Sequence, residues 1–280
     1  MAGGVIPPVV DADWLAAHRD DVVLADVRWY LDGRSGRAAY GAGHLPGAVF
    51  VDLDRCLTGD AGPGTGRHPL PDPARFARGM AQLGIGDDDT VVAYDDAGGT
   101  VAARLVWMLR VTGRRAALLD GGLAAWDGPL ETVPCTRPAA MFSAVPWPEE
   151  RLATAEDAAD PGNVVVDARQ RERYLGREEP IDPRAGHIPG ARSLPAGDSL
   201  DETGRLRPVD ELRERFAAAG IDPSASVVAY CGSGVTACHD LLVMEHVGLG
   251  AGRLYPGSWS QWSADEARPA ATEDEAPVQR

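Results

Sequence analysis

The feature that most narrows the fold is an internal duplication. Val22-Val23-Leu24-Ala25-Asp26-Val27-Arg28 reads as a strand ending in Asp-Val-Arg, and Tyr40-Gly41-Ala42-Gly43-His44-Leu45-Pro46-Gly47-Ala48 follows it. The second half repeats both, as Val164-Val165-Val166-Asp167-Ala168-Arg169 and Arg184-Ala185-Gly186-His187-Ile188-Pro189-Gly190-Ala191. The two aspartates lie 141 positions apart and the two histidines 143. Val91-Val92-Ala93-Tyr94-Asp95-Asp96 matches Val227-Val228-Ala229-Tyr230-Cys231-Gly232, and Leu119–Trp126 matches Tyr255–Trp262, each at an offset of 136. Matched segments in the same order mean two copies of one domain, and a period this long is not a stacked short repeat. A chain of 280 residues accommodates two such domains, each able to bury its own core.

Within each copy, short apolar strands alternate with helical spacing over Ala74–Leu83, Val101–Val111 and Glu211–Ala219. Strands alternating with helices predict βαβ units, hence a mostly parallel sheet covered on both faces. In such sheets the ligand site lies beyond the carboxyl ends of the strands. That is where Val227–Tyr230 run into Cys231-Gly232-Ser233-Gly234-Val235-Thr236-Ala237, after which Cys238, Leu241, Leu242 and Val243 take up helical spacing. A tight loop opening a helix turns successive backbone N–H groups inward and adds the positive end of the helix dipole. Such a place suits a thiolate, the nucleophilic form of cysteine. Gly232 and Gly234 allow the close backbone approach the loop needs. The plainer alternative, a buried cysteine after a core strand, leaves the Gly-x-Gly loop unexplained.

Composition excludes several classes of function. The net charge of −15 argues against nucleic acid or an anionic membrane surface as partner. No apolar run reaches the ~20 residues of a membrane span, and Met1–Pro7 lacks the basic and apolar regions of an export signal. Four cysteines (Cys56, Cys135, Cys231, Cys238) without Cys-x-x-Cys spacing predict neither a disulfide scaffold nor zinc. Free thiols in the cytoplasm, with no metal and no cofactor, are the expectation.

The Asp-x-Arg, Gly-His-[Leu/Ile]-Pro-Gly-Ala and Cys-Gly-Ser-Gly-Val-Thr segments, duplicated in this way, resemble the tandem rhodanese family, in the branch of thiosulfate and 3-mercaptopyruvate sulfurtransferases. The resemblance implies a rhodanese-like domain over 5–128 that lacks the cysteine and a catalytic rhodanese-like domain over 152–264, while proline content marks 129–151 as an extended linker and acidic, proline-rich composition marks 265–280 as a disordered tail. Asp95 stands where the second copy has Cys231. The reaction it implies passes a sulfur from a small anionic donor to Cys231 as a persulfide, and on to cyanide, a thiol or a thioredoxin-like protein. Amides from Gly232 through Ala237, those of Gly234, Val235 and Thr236 among them, would cradle the outer sulfur. A loop without Arg or Lys is similar to the 3-mercaptopyruvate branch, whereas thiosulfate-preferring branches resemble Cys-Arg-Lys-Gly-Val-Thr. That branch implies a Ser–His–Asp set, matched here by Ser233, His68 and Asp54 in an interdomain cleft. It also implies two substrate arginines, matched by Arg173 and Arg184.

Several features are set aside. His44 and His187, like Asp26/Arg28 and Asp167/Arg169, occur in the copy with the cysteine and the copy without it, so they read as structural. Trp126 and Trp262 read as core aromatics, and Cys238 as a small buried apolar group rather than a redox partner of Cys231. A cysteine phosphatase would need an arginine at 237, which is alanine. Thiosulfate:cyanide transfer and a non-enzymatic persulfide carrier or regulatory binding module stand as alternatives.

Overall fold

The computed structural model describes residues 6–62 and 64–273. The chain divides into two compact units. The first comprises the chain up to Gly59, Leu70–Pro148 and Leu200–Arg207; the second comprises Asp60–Pro69, Glu149–Ser199 and the chain from Pro208. Each unit therefore contains a short strap taken from the other half of the sequence.

In the first unit, β1 (Val9–Val10), β2 (Val22–Asp26), β3 (Val49–Phe50), β4 (Thr90–Tyr94) and β5 (Arg115–Leu119) form a sheet of order β1-β5-β4-β2-β3. Every pairing is parallel. The central strands are apolar along most of their length, and Val91–Tyr94 are buried, because both faces are covered. The helices are α1 (Ala12–Ala17), α2 (Gly36–Ala42), α3 (Leu53–Cys56), α4 (Pro73–Gln82) and α5 (Ala102–Val111). Side chains fix their starts: Asp11, Ser35, Asp52 and Asp72 each accept a backbone N–H from the first turn, and Pro73 occupies the first position of α4. The Pro-rich segment after Pro129 lies against this unit, with Glu131 bridging His44 and Ser143 donating to Asp87.

The second unit repeats the plan. Its strands β6 (Val164–Asp167), β7 (Arg192–Ser193), β8 (Val227–Tyr230) and β9 (Arg253–Leu254) form a parallel sheet of order β7-β6-β8-β9. A parallel bridge from Leu152 to Leu254 takes the place of β1. The helices are α6 (Ala155–Ala159), α7 (Arg171–Tyr174), α8 (Val209–Ala218), α9 (Ala237–His246) and α10 (Ser258–Trp262). Eight successive residues of α9, Ala237–Met244, are buried, as expected of a helix apolar on all sides. Residues 265–273 depart from the expected disorder: Ala271 bridges His187, Arg268 pairs with Glu156, and Trp262 donates to Pro269 O. The remainder of that tail lies outside the described residues. Trp262 is buried, while Trp126 is only partly buried against the first core. No described helix is long and apolar enough to cross a membrane.

One polar assembly recurs in both units. Arg28 pairs with Asp26 at 2.7 Å and donates to Gly43 O; Arg169 pairs with Asp167 at 2.6 Å and donates to Gly186 O. His44 stacks on Tyr40 and bonds its carbonyl, and His187 does the same with Tyr174. Tyr94 and Tyr230 accept the N–H of Leu45 and Ile188. These buried groups tie the loop after β2 or β6 to the end of the next strand inward, β4 or β8. Their duplication with and without the cysteine confirms their structural role.

A buried carboxyl without such compensation lies on α9. Asp240 is fully buried, and neither carboxyl oxygen has a hydrogen-bond partner. Burial pushes its pKa up to about 7; Asp167 and Asp198 push the same way, against Arg215. Below about pH 4 both folded and unfolded chains hold the proton; between about 4 and 7 only the folded chain does, so stability falls by ~1.4 kcal/mol per pH unit and then levels off. Asp240→Asn removes that cost. In urea melts its gain over the unaltered protein should grow by ~3 kcal/mol from pH 5 to pH 8; a gain that does not change with pH would contradict an Asp240 that keeps its proton into this range.

Candidate functional site

The site forms where β8 ends. Six residues, Cys231–Thr236, separate Tyr230 from the first residue of α9. Cys231 is 3% exposed, and Gly234 N–H donates to its Sγ at 3.1 Å. Gly234 has φ +78°, and a Cβ there would meet Pro256 O at 2.6 Å, so only glycine fits. The rest of the cysteine's backbone is clamped by the segment entering α10. Trp259 N donates to Cys231 O and Ser260 N to Gly232 O, both at 2.9 Å, and Cys231 N donates to Ser258 Oγ at 3.2 Å. Ser258 is held at φ +52°, a region costly for a residue with a Cβ. Its counterpart in the first unit is Gly122, at φ +53°. Sequence reasoning passed over Ser258, since nothing in its pattern marks a left-handed serine.

The first unit displays what such a loop holds. Asp95, at the position matching Cys231, is fully buried, and its carboxylate accepts from Ala97, Gly99, Val101 and Ala102 N–H at 2.7–2.8 Å. Burial raises its pKa, and those four amides work against the rise by favouring the ionised form. Asp95 O accepts from Leu123 N at 2.8 Å, as Cys231 O does from Trp259. The loop is thus an anion cradle that in the first unit is filled by its own side chain.

The strap Asp60–Pro69 brings two residues to the second unit's loop. Arg67 N–H donates to Ser260 Oγ, and Gln261 Nε2 donates to Gly64 O, so the segment entering α10 secures the strap as well. His68 is buried, and its Nδ1 lies 2.7 Å from Ser233 Oγ. Arg67 pairs with Asp182, which pairs with Arg173 at 3.1 Å; Arg173 reaches Glu179 at 2.5 Å, and Glu179 reaches Arg169 at 3.2 Å. Burial pushes the Asp182 carboxyl up, Glu179 adds to this, and Arg67 and Arg173 pull it down. A chain of alternating charges thus runs from Asp167 on β6 to Arg67 beside the loop. Arg67, Glu179 and Asp182 were missed because their partners come from far apart in sequence.

Of the residues proposed from sequence, Cys231, Gly232, Ser233, Gly234, Val235, Thr236, His68 and Arg173 all belong to the second unit. Thr236 caps α9 through its backbone alone, and Val235 is buried. Arg184 requires correction: its guanidinium donates to the carbonyls of Ser263, Arg268, Trp262 and Asp265 at 2.7–2.9 Å, which makes it a clasp for the C-terminal segment. Asp54 lies in the first unit, on α3, where its carboxylate accepts from Trp29 Nε1 at 3.3 Å. Cys238 is fully buried, its thiol 3.4 Å from Gly234 O. All four cysteines are free thiols. The described residues hold no cluster of three His, Cys, Asp or Glu suited to a metal.

Known proteins match both units of this chain. The rhodanese-like domain matches twice, over residues 11–128 and 151–265. A Pseudomonas aeruginosa protein named a probable 3-mercaptopyruvate sulfurtransferase is 42% identical over 279 residues, covering 95% of this chain and 98% of that one. A thiosulfate/3-mercaptopyruvate sulfurtransferase of Arabidopsis thaliana is 32% identical, covering 94% and 77%. The crystal structure of SseA from Escherichia coli, described as a 3-mercaptopyruvate sulfotransferase, superposes with a TM-score of 0.80 at 34% identity, covering 91% of this chain and all of that one. With two matched domains, one cysteine-bearing loop and its carboxylate-filled twin, this chain belongs to the rhodanese family as a two-domain member.

Proposed function

We propose that this chain is a sulfurtransferase that takes sulfur from 3-mercaptopyruvate onto Cys231 and passes it to a thiol or cyanide. The observation that carries the reading is the pair of matched loops. One encloses a carboxylate in four amides; the other presents a cysteine sulfur, with Gly234 N–H upon it, to the same kind of cradle. A persulfide's terminal sulfur is an anion, and preorganised amides in a site shielded from water stabilise it without reorganisation.

The chemistry balances as follows. Cys231 Sγ attacks the donor's sulfur and an S–S bond forms. The donor's C–S bond breaks, and its electron pair goes to carbon as the enolate of pyruvate, which takes up a proton. Ser233, hydrogen-bonded to His68, supplies the proton route. Asp54 enters as the carboxylate that would balance an imidazolium, on the resemblance alone. An acceptor thiolate or cyanide then attacks the outer sulfur and frees the Cys231 thiolate. Arg173 holds the donor's carboxylate.

A second reading, transfer from thiosulfate, gains support from one observation. The loop carries no cation, but the guanidinium groups of Arg67 and Arg173 lie beside it, so an anionic donor would find N–H donors there. Steady-state kinetics with both donors decides: the proposal expects the larger kcat/KM for 3-mercaptopyruvate, and a larger value for thiosulfate would reverse the assignment. Persulfide retained by a purified protein that turns over neither donor would make it a carrier. Cys231→Ser should abolish sulfur transfer. Asp95→Ala should leave persulfide formation on Cys231 intact, while orphaning buried amides at a stability cost of about 2–4 kcal/mol. Persulfide mass labelling and melts on both variants read the two effects separately.

A further inference from the structure

The space over Gly232, next to the nucleophile, is bounded by two guanidinium groups. A Cβ built on Gly232 would lie 2.9 Å from Arg67 Nη2 and 3.5 Å from Arg173 Nη1. Each guanidinium has its other side committed to carboxylates. Arg67 Nη1 is on Asp182, and Arg173 Nη2 is on Glu179 and Asp182. Asp182, with its side chain 2% exposed, joins the two arginines. Arg67 Nη2 and Arg173 Nη1 have no protein acceptor among the described residues, and Arg173 Nε is likewise buried without a partner. Arg67 keeps a side chain 29% exposed, so this edge is open to a ligand.

We propose that Arg67 is a donor-anchoring residue, which with Arg173 forms a two-guanidinium seat for the carboxylate and 2-oxo oxygens of the sulfur donor. The inference rests on the reaction proposed above and assigns to the strap a role that Arg184, spent on carbonyls, does not fill. Charge favours this substrate class. The connected groups are Arg67, Arg169 and Arg173 against Asp167, Glu179 and Asp182, so the array is formally neutral. It offers directed N–H donors without surplus positive charge. That suits a monoanionic 2-oxo carboxylate, whose planar oxygens match guanidinium edges. A compact dianion would find donors there but no net countercharge.

Two measurements test the seat. In a Cys231→Ser background, calorimetry with pyruvate as probe should show affinity falling at least tenfold on Arg67→Ala, with Arg67→Lys intermediate because a single ammonium cannot fork. In the active protein, Arg67→Ala should raise KM for 3-mercaptopyruvate at least tenfold, with a smaller change in kcat. Unchanged pyruvate affinity, or a fall in kcat at constant KM, would overturn the proposal, the latter marking Arg67 as a brace for His68. Gly232→Ala, which crowds Arg67 Nη2 and leaves the arginine in place, should also raise KM; an unaltered KM would count against the seat. If the protein turned over no 2-oxo thiol donor, the reaction assigned above would fall. Calorimetry would still decide Arg67: pyruvate binding lost with its side chain supports the seat, and no pyruvate binding at all refutes it.

Discussion

A loop that turns backbone N–H groups onto the side chain at its own start recurs in both halves of this protein. A loop of this kind cannot leave its inward N–H groups unpaired without a cost of ~1–3 kcal/mol for each buried donor. The first unit settles this permanently, with Asp95 accepting four of them. In the second unit the matching residue is Cys231, whose thiol is smaller and whose sulfur receives one short N–H contact from Gly234. The two loops differ in more than this residue, with seven positions between Tyr94 and α5 and six between Tyr230 and α9, while the sheets beneath share one plan.

The scaffold shows the same division between what is shared and what is added. Both units carry the Asp-x-Arg pair, the stacked His–Tyr pair and the tyrosine that accepts a loop N–H. In the second unit this set is extended. Burial opposes the charge on Arg169, but the carboxylates of Asp167 and Glu179 more than offset it, and its pKa is raised. Through Glu179 the pair reaches Arg173, and through Asp182 it reaches Arg67. An internal fold anchor thereby becomes the base that orients the groups around the nucleophile. Isolated surface ion pairs contribute little, whereas a partly buried, mutually braced chain fixes geometry.

Much of this was legible in the sequence because it is local. Strand runs such as Val164–Asp167 and Val227–Tyr230 coincide with β6 and β8, and the offsets of 136 to 143 announce the duplication. Cys231 and its glycines stand out because strand, turn and helix signals meet there. What escaped depends on partners distant in sequence. Arg184 looks like any arginine before Gly-His, and only the returning segment from Trp262 to Arg268 shows which carbonyls it serves. The composition of that segment predicts disorder, yet Ala271 pairs with His187, a partner distant in sequence. Ser258 carries positive φ in a stretch without glycine's usual signature, because its hydroxyl is held between Cys231 N and Tyr255 O. Arg67 and His68 belong by sequence to the first half and by contact to the second unit, a transfer that no periodicity encodes.

The relation between Gly232 and Arg67 gives donor selection a physical form. The loop itself has no cation, and the structure puts Arg67 beside the expected Arg173 over Gly232. A loop cation at 232 and Arg67 in this place exclude each other. A side chain at 232, as in a Cys-Arg-Lys-Gly loop, would begin 2.9 Å from Arg67 Nη2 and displace it. A loop arginine would bring charge unpaired by neighbouring carboxylates, suited to a dianion. The strap arginine comes with Asp182 attached, and offers direction in place of net charge. Glycine at 232 and arginine at 67 thus act as one specificity element split across 165 positions of sequence, and neither can be exchanged without altering what the other can bind.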